Sequence, residues 1–485
     1  MSEHQEPSVG APRRQLAGLG LLMALAFAAL GSGRITDTGK PVSELSRWFE
    51  LLLMAGVYWR GYLVMRVAGP RALPTVVIFG GIFALLGLVL PRFDSRDLYL
   101  YVNIGWMQHH YGLNPYTRLI SAAPGWQHDP MFAKAWVKMP SLYGSLFTLY
   151  TRLVVAIGGG HLLRTIMLFK LTAVAAYAAV AILIRVIGIR VGLARVDLAL
   201  FLYLWSPEIL IHELEHAHND MFAAAFVMLA IWFAATDLPF LILPMIVAAV
   251  LIKPFAEGIL PFAFFYMVRR RGLFPALYSA AAAAGLFVVC TLPFRWDWTP
   301  LPWQMFVGTL FSPNYSLASS AYYVVDAVNR LAPLGAAYRW VTHGVIAAYL
   351  LAGAILLAAG VVRFAENPRP SIQNFAQGAL LAQLIAILIA LSDFYPWHQS
   401  TLLPAALVLA PGNWLRQLAI ALSLTWLLYF TKIGDLIILN ALIMTAVPMV
   451  WIGLAKWTDV KSTFFDAAWL NARREPVVSQ GTDRG

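Results

Sequence analysis

Long runs of apolar residues, separated by short polar and basic segments, recur along the chain. A transmembrane helix needs about 20 predominantly apolar residues, with a range of roughly 17 to 25. We interpret the runs as membrane-spanning helices near residues 15–31, 48–66, 73–91, 165–187, 196–211, 219–236, 238–252, 255–268, 273–293, 343–362, 374–391, 398–412, 414–430 and 437–455. The pattern predicts an all-α, polytopic integral membrane protein with about 13–14 transmembrane helices, forming a single domain over residues 1–461.

Clusters of arginine and lysine between the runs set the predicted orientation, because cytoplasmic loops carry the excess of basic residues. The strongest cluster is residues 269–271. All clusters fall on one side if residues 141–158 do not cross the membrane, so we predict an interfacial or re-entrant segment there. Two long juxtamembrane loops, at about 92–140 and 294–342, are then extracytoplasmic, and the polar tail 462–485 is cytoplasmic.

Composition argues against several classes of protein. The chain is 60% hydrophobic and 12% charged, whereas soluble proteins average about 45–50% and about 25%. The composition therefore argues against a soluble enzyme, a disordered chain and a fibrous repeat. The net charge of +11 is spread over short clusters rather than one face, so no nucleic-acid partner is predicted. The single cysteine, Cys290, excludes an internal disulfide framework and a multi-cysteine metal site.

Two aspartates follow the third apolar run, at the start of the first outer loop. Asp94 and Asp97 are three residues apart, so on a helical turn both carboxylates face one direction. A carboxylate that is partly desolvated at the interface can have a raised pKa and act as a general base. The structural alternative is that Asp97 caps a juxtamembrane helix while Asp94 pairs with Arg92 or Arg96.

A polar segment at the outer end of a later run reads His212-Glu213-Leu214-Glu215-His216-Ala217-His218-Asn219-Asp220. It contains H-E-x-x-H, in which two histidines on one helix face bind zinc and the glutamate is the base of a metalloprotease. The motif straddles a loop, and no third ligand lies in a recognisable motif. A non-proteolytic metal site and a phosphate or sugar contact therefore stay open, with His212, His216 and Asp94 as the candidate metal ligands.

Three further segments on the same predicted face carry polar and aromatic groups. Lys253 lies beside the helix-breaking Pro254, and its ammonium either faces an anionic phosphate or snorkels to the interface. Residues 312–320, which include Asn314, are rich in groups that can contact a sugar or cap a helix. Residues 393–398 add an acid, a base and aromatic rings, among them Tyr395 and Trp397. Since no G-x-x-x-x-G-K motif occurs, an activated sugar would have to arrive on a lipid.

These segments occur in a fixed order between about residues 90 and 410. They are Asp97-Leu98-Tyr99-Leu100-Tyr101, Gly112-Leu113-Asn114-Pro115-Tyr116, Tyr143-Gly144-Ser145-Leu146, Ser206-Pro207, His218-Asn219-Asp220, Lys253-Pro254, Ser312-Pro313 and Tyr395-Pro396-Trp397. In this order the chain resembles the C-superfamily of membrane glycosyltransferases, which take sugars from polyprenyl-phosphate donors. Within it, the chain is most similar to the polyprenol-phosphomannose-dependent α-(1→6)-mannosyltransferases.

The resemblance implies a membrane enzyme that transfers a hexose, with mannose favoured, from polyprenyl phosphate to a lipid-linked or cell-envelope glycan acceptor. It implies inversion, with Asp97 as the general base and Asp94 as the alternate. The implied partners are the donor, the acceptor and membrane lipids. No cofactor is required, although a divalent metal could assist. The implied location is a bacterial inner membrane with an extracytoplasmic active site.

The mechanism that follows from the resemblance assigns two further groups of residues. The donor phosphate is expected to contact Lys253, His216, His218 and His398. The sugar and the acceptor are expected to contact Tyr101, Asn114, Asn219, Asp220, Asn314, Tyr395 and Trp397. The main alternative function is a lipid-linked sugar flippase or transporter. A less favoured one is an intramembrane zinc metalloprotease that uses His212, Glu213 and His216.

Overall fold

The computed structural model describes residues 10–32, 42–91, 95–133, 136–137, 140–236, 238–294, 317–390, 395–431 and 442–464. The described residues form helices and no strand, which confirms the all-α prediction. Three predicted site residues or neighbours, Asp94, Asn314 and Asp393, lie outside the described residues, as does most of the tail 462–485.

The helices differ widely in length. In chain order they are α1 (Gly10–Ser32), α2 (Val42–Ala68), α3 (Leu73–Val89), α4 (Asp97–His110), α5 (Ser145–Gly158), α6 (Leu162–Arg190), α7 (Val196–Leu204), α8 (Pro207–Glu215), α9 (Asp220–Ala234), α10 (Ile242–Val250), α11 (Leu260–Arg271), α12 (Leu273–Thr291), α13 (Leu317–Leu331), α14 (Ala337–Glu366), α15 (Ile372–Leu384), α16 (Gln399–Leu407), α17 (Trp414–Thr425), α18 (Val447–Ala455) and α19 (Trp457–Phe464). The second part of α8, Leu210–Glu215, is π-helical, as is the turn Ile385–Ala390 that follows α15.

Six helical stretches of the described residues are long and apolar enough to cross a membrane. They are Ala11–Ser32, Ser46–Val89, Leu162–Arg190, Leu273–Phe294, Ala337–Glu366 and Ile372–Ala390. Helices α8 and α9 make a seventh if they count together as one span, and they meet at an angle of 111°. This confirms a polytopic membrane protein. Judged by length and composition, fewer helices of the described residues can cross the membrane than the predicted number of about 13–14. The reason is that several predicted runs form helices as short as 9 residues.

The stretch Ser46–Val89 is a helical hairpin. The Tyr58 hydroxyl of α2 donates to the carbonyl of Leu202 at 2.7 Å, and the Trp205 indole donates to the carbonyl of Val76 in α3 at 3.1 Å. Both helices therefore lie beside the same short α7. The chain reverses at Gly69, whose φ of +64° is a conformation that glycine adopts at little cost. The predicted spans 48–66 and 73–91 are the two arms of this hairpin.

Helix α5 covers most of the segment that was predicted to be interfacial or re-entrant. Its 14 residues extend about 21 Å, less than the roughly 30 Å hydrocarbon core. It packs closely against α4, because a Cβ on Gly105 would lie 2.4 Å from the Thr151 carbonyl oxygen. The Gln108 side chain also donates to the Thr148 carbonyl at 3.0 Å.

The basic clusters gather at one end of the helix bundle. Their side chains donate to backbone carbonyls of neighbouring helices: Arg13 to Arg71, Arg195 to Met65, Arg190 to Ala235, Arg271 to Thr236 and Arg269 to Ala365. These contacts link the ends of α2, α6, α9, α11 and α14 with the starts of α1, α3 and α7. The grouping of the basic clusters on one side, expected from the sequence, is thus found in the fold.

The chain breaks that carry the predicted site residues lie at the opposite end. Helix α3 leads away from the basic end toward Asp97, and α9 and α11 lead back to it from Asp220 and from the break at Lys253. Since α9 has 15 residues, the two ends are about 22 Å apart along this helix. Three separate breaks therefore lie at one end of the bundle, and the polar side chains gather there.

Candidate functional site

Asp220 is the centre of a buried network of charged side chains. Its Oδ2 lies 3.2 Å from Lys253 Nζ, and its Oδ1 lies 2.9 Å from His398 Nδ1. All three side chains are buried, with at most 7% of each exposed. A buried carboxylate needs such partners, because an unpaired charge in an apolar interior is very costly. The network joins three segments that are far apart in the sequence.

Lys253 reaches this network because the helix before it ends. Helix α10 stops at Val250, and Pro254 has no amide hydrogen with which to continue a helix. The loop before α5 braces the break, since Gly144 N donates to Ile252 O at 3.3 Å and Phe147 N to Leu251 O at 3.2 Å.

Asp97 begins α4 and faces the network from the first loop. Its Oδ2 lies 3.5 Å from His218 Nδ1, and its side chain is 21% exposed, which leaves it reachable. Burial raises the pKa of Asp97 to about 6, and Lys253 partly offsets this effect. The nearby Tyr143 hydroxyl also lowers the pKa of Asp97. Asp97 is therefore a carboxylate that can take up a proton near neutral pH.

The bend between α8 and α9 is built from unusual backbone. A π-helical turn widens the end of α8, and Ala217 has φ +55°, a strained value for a residue with a Cβ. Glu213 fixes the start of α9, because its carboxylate accepts hydrogen bonds from the Ser400 hydroxyl and from Met221 N. Both oxygens of Glu213 are thus engaged in holding two helices together. A metalloprotease base would instead have to face a metal-bound water.

Three histidines of this bend lie together. One ring nitrogen from each of His212, His216 and His218 lies within 4.8 Å of the others, and all three side chains are buried. The Trp397 ring stacks on His218, with centroids 4.5 Å apart, and Tyr395 stacks on the other side at 4.3 Å. The histidine group therefore lies behind an aromatic stack.

A cavity of about 460 Å³ opens beside the network. Its polar end is lined by Asp97, Tyr143, Lys253, Tyr395, Trp397 and His398. The rest is mostly apolar, apart from Glu257, and much of it is formed by helices α14 and α15 and the π-helical turn, through Leu350, Gly353, Leu357, Ala382, Ile385 and Ala390. The cavity thus joins a charged, aromatic end to a mostly apolar part.

The structure brings together most of the residues that the sequence singled out. Asn219 lies beneath the cavity wall, where its backbone N–H donates to the Tyr101 hydroxyl at 3.3 Å. His216 and His218 are near the site but do not line the cavity. Asn114 lies apart from it, because its side chain bonds to the backbone of Tyr116 and Phe294.

Sequence reasoning missed Tyr143 and Ser400 as members of the site. Tyr143 lines the cavity, with its ring 5.7 Å from Lys253 Nζ. In the sequence, the neighbouring Gly144 could have indicated a close contact of this loop. A Cβ added at Gly144 would lie 2.2 Å from the Leu251 carbonyl oxygen. Only glycine permits this contact between the loop and the Lys253 segment. Ser400 carried no signal, because its partner Glu213 is 187 positions away.

Comparison with models of known protein families gives a match. The model of the family described as alpha-(1→6)-mannopyranosyltransferase, N-terminal domain, matches residues 17–269, slightly more than half of the 485-residue chain. No curated protein matches. The matched region contains Asp97, the histidine-rich bend and Lys253, whereas the aromatic stack and His398 lie beyond it. The chain therefore belongs to the α-(1→6)-mannopyranosyltransferase family, and it is a membrane mannosyltransferase.

Proposed function

We propose that the protein takes mannose from a polyprenyl-phosphate donor and transfers it, with inversion, to a hydroxyl of a lipid-linked or cell-envelope glycan. The observation that supports this proposal most directly is the shape and polarity of the cavity. A charged end continues into a mostly apolar part that is lined largely by α14 and α15. Such a site suits a ligand with an anionic, sugar-bearing head and a hydrocarbon tail.

Asp97 is the proposed general base. The carboxylate lines the polar end of the cavity, and its raised pKa suits proton transfer near neutral pH. It removes the proton from the acceptor hydroxyl, and that oxygen attacks the anomeric carbon opposite the phosphate. The new glycosidic bond forms as the bond between sugar and phosphate oxygen breaks. The leaving polyprenyl phosphate is already acidic, so no general acid is needed.

Lys253 and His398 are the proposed phosphate contacts. Both line the cavity, and both are held in place by Asp220. A phosphodiester entering here would meet the ammonium of Lys253 at close range, and a charge-assisted hydrogen bond is stronger than a neutral one. Tyr395 and Trp397 offer ring faces beside this position, which suits stacking on a sugar.

The proposed active site faces the extracytoplasmic side. It lies at the end of the bundle opposite residues 269–271 and the other basic clusters. Basic clusters mark the cytoplasmic side of a polytopic protein. The lipid donor would then present its sugar outside the cytoplasm, where nucleotide sugars are not delivered.

The donor is tested with purified protein in lipid vesicles that also contain a glycan acceptor. An inverting enzyme that forms an α-linkage must use a β-linked donor. We expect release of free polyprenyl phosphate from β-mannosyl phosphate donors, but not from their α-anomers, from glucosyl donors or from a nucleotide-linked mannose. Transfer from the nucleotide sugar, or equal use of both anomers, would contradict the proposal. Movement of the intact donor across the vesicle without cleavage would indicate a flippase.

A further inference from the structure

We propose that His212, His216 and His218 bind one divalent transition-metal ion, with Zn²⁺ the best fit. The three rings come from a single bend between α8 and α9, and one nitrogen of each lies within 4.8 Å of the others. None of the three side chains is more than 2% exposed. None of the three histidines lines the cavity, and Asp97 lies between the cavity and His218.

The environment of His218 is the second observation. Its side chain is completely buried, and neither ring nitrogen makes a hydrogen bond within the part of the chain that the structure describes. Buried polar groups are nearly always hydrogen-bonded to protein, to water or to an ion. The ring is also fixed in orientation, since Trp397 stacks on it with an interplanar angle of 11°. A fixed, buried imidazole among other imidazoles is the usual surrounding of a bound metal.

Two carboxylates lie where they would orient the histidine ligands. Glu208 Oε1 lies 3.7 Å from His212 Nε2, and Asp97 Oδ2 lies 3.5 Å from His218 Nδ1. A histidine that ligates a metal through one nitrogen commonly donates its other N–H to a carboxylate. The arrangement therefore leaves the second nitrogen of each of these two rings for the ion.

The set of ligands selects the class of metal. Imidazole nitrogens suit zinc, copper, iron and nickel, whereas magnesium and calcium require oxygen ligands. Three histidines with an open fourth position is a common zinc geometry, with Zn–N distances of about 2.0–2.1 Å. The nitrogens then stand about 3.4 Å apart, so nitrogens that now lie within 4.8 Å of one another must approach by up to about 1.4 Å. The ion would fix the bend that carries Asn219 and Asp220.

The first test measures the metal content of full-length protein purified without a polyhistidine tag. We expect close to one zinc per chain by elemental analysis. His212→Gln, His216→Gln and His218→Gln should each lose most of it, whereas His161→Gln, an exposed histidine on another loop, should keep it. Metal far below one per chain in folded wild-type protein, or equal metal in all variants, would overturn the proposal.

A second measurement guards against variants that fail to fold. Wild-type protein stripped with a chelator and reloaded with Co²⁺ should show the visible absorption of tetrahedral cobalt, and Zn²⁺ should displace it. Reloading should also raise the thermal unfolding midpoint. Folded protein that takes up no cobalt, or that responds only to Mg²⁺ or Ca²⁺, would refute a histidine site. Neither readout depends on transferase activity, so failure here leaves the proposed function intact.

Discussion

Individual side chains in the site have roles that depend on their partners more than on their type. Asp220 was expected to contact a sugar, yet its two oxygens face Lys253 and His398. Glu213 belongs to H-E-x-x-H but anchors the start of α9. The residue types of the motifs therefore indicate where the candidate site lies, but they do not indicate which group each side chain contacts. The partners of Asp220 come from segments more than 30 positions away.

Asp97→Asn should abolish transfer while donor binding is retained. The amide has the shape of the carboxylate but cannot accept the proton of the acceptor hydroxyl. A positioned base contributes about 10²–10⁴-fold, so the rate of polyprenyl phosphate release should fall by at least about 100-fold. Glu366→Gln, which removes an exposed charge at the basic end, is the matched control. Wild-type rates for Asp97→Asn would exclude this residue as the base.

Lys253→Ala should destabilise the protein as well as weaken donor binding. It leaves the buried Asp220 carboxylate without its ammonium partner, and breaking a buried ion pair from one side costs about 3–5 kcal/mol. Adding Asp220→Asn to Lys253→Ala should recover much of the thermal stability, because the stranded charge is gone, but should not recover donor binding. Lys253→Arg should bind donor better than Lys253→Ala. Equal donor binding by all these proteins would show that Lys253 has only a structural role.

At the scale of helices, apolar runs located the elements well but overestimated how many cross the membrane alone. The hairpin of α2 and α3 and the long α6, α12 and α14 follow the predicted runs closely. Hydropathy averages over a window, so it does not resolve a π-helical turn or a strained residue such as Ala217. In the sequence, Pro207 and Pro254 indicate where the helices are interrupted. The function of these breaks, which is to bring polar residues to one place, depends on packing between distant helices.

The contact between α4 and α5 provides a test at this scale. A Cβ on Gly105 would meet the backbone of Thr151 at 2.4 Å, and a backbone atom cannot rotate away. Gly105→Ala should therefore push the helices apart and cost about 1–3 kcal/mol, the usual range for overpacking. Gly56→Ala, in a helix with no atom within 4 Å of the new methyl group, should be neutral or slightly stabilising. Thermal unfolding of the two variants measures the difference, and equal midpoints would contradict the packing described.

At the scale of the whole molecule, the arrangement of charge was the most informative property of the sequence. The sequence predicts basic clusters on one side of the membrane and the polar site residues on the other. The structure has these two groups of residues at opposite ends of the bundle. The cavity could not be foreseen, because its polar wall combines Asp97, Tyr143 and Lys253 with residues 395–398, and much of its apolar wall comes from α14 and α15.

The predicted orientation can be checked by cysteine labelling of intact cells in a Cys290→Ala background. The two variants to be labelled are Gln127→Cys and Arg271→Cys. Position 127 lies in the first outer loop, position 271 lies at the basic end, and both are exposed. A membrane-impermeant maleimide should label position 127 from outside and should reach position 271 only after the membrane is permeabilised. The reverse pattern would place the active site in the cytoplasm and contradict the proposed donor.

Helix α14 has a consequence for how the enzyme should be assayed. Its inner face lines the cavity through Leu350 and Leu357, while Leu351 and Ile355 on its outer face are exposed. In the proposed reaction, a donor tail in the cavity would be separated from the surrounding lipid by one helix, and donor and product would exchange within the bilayer plane. The rate should follow the mole fraction of donor among the lipids rather than its concentration in the bulk volume. Diluting vesicles with buffer should leave the initial rate per enzyme unchanged, whereas adding inert lipid at constant donor should lower it.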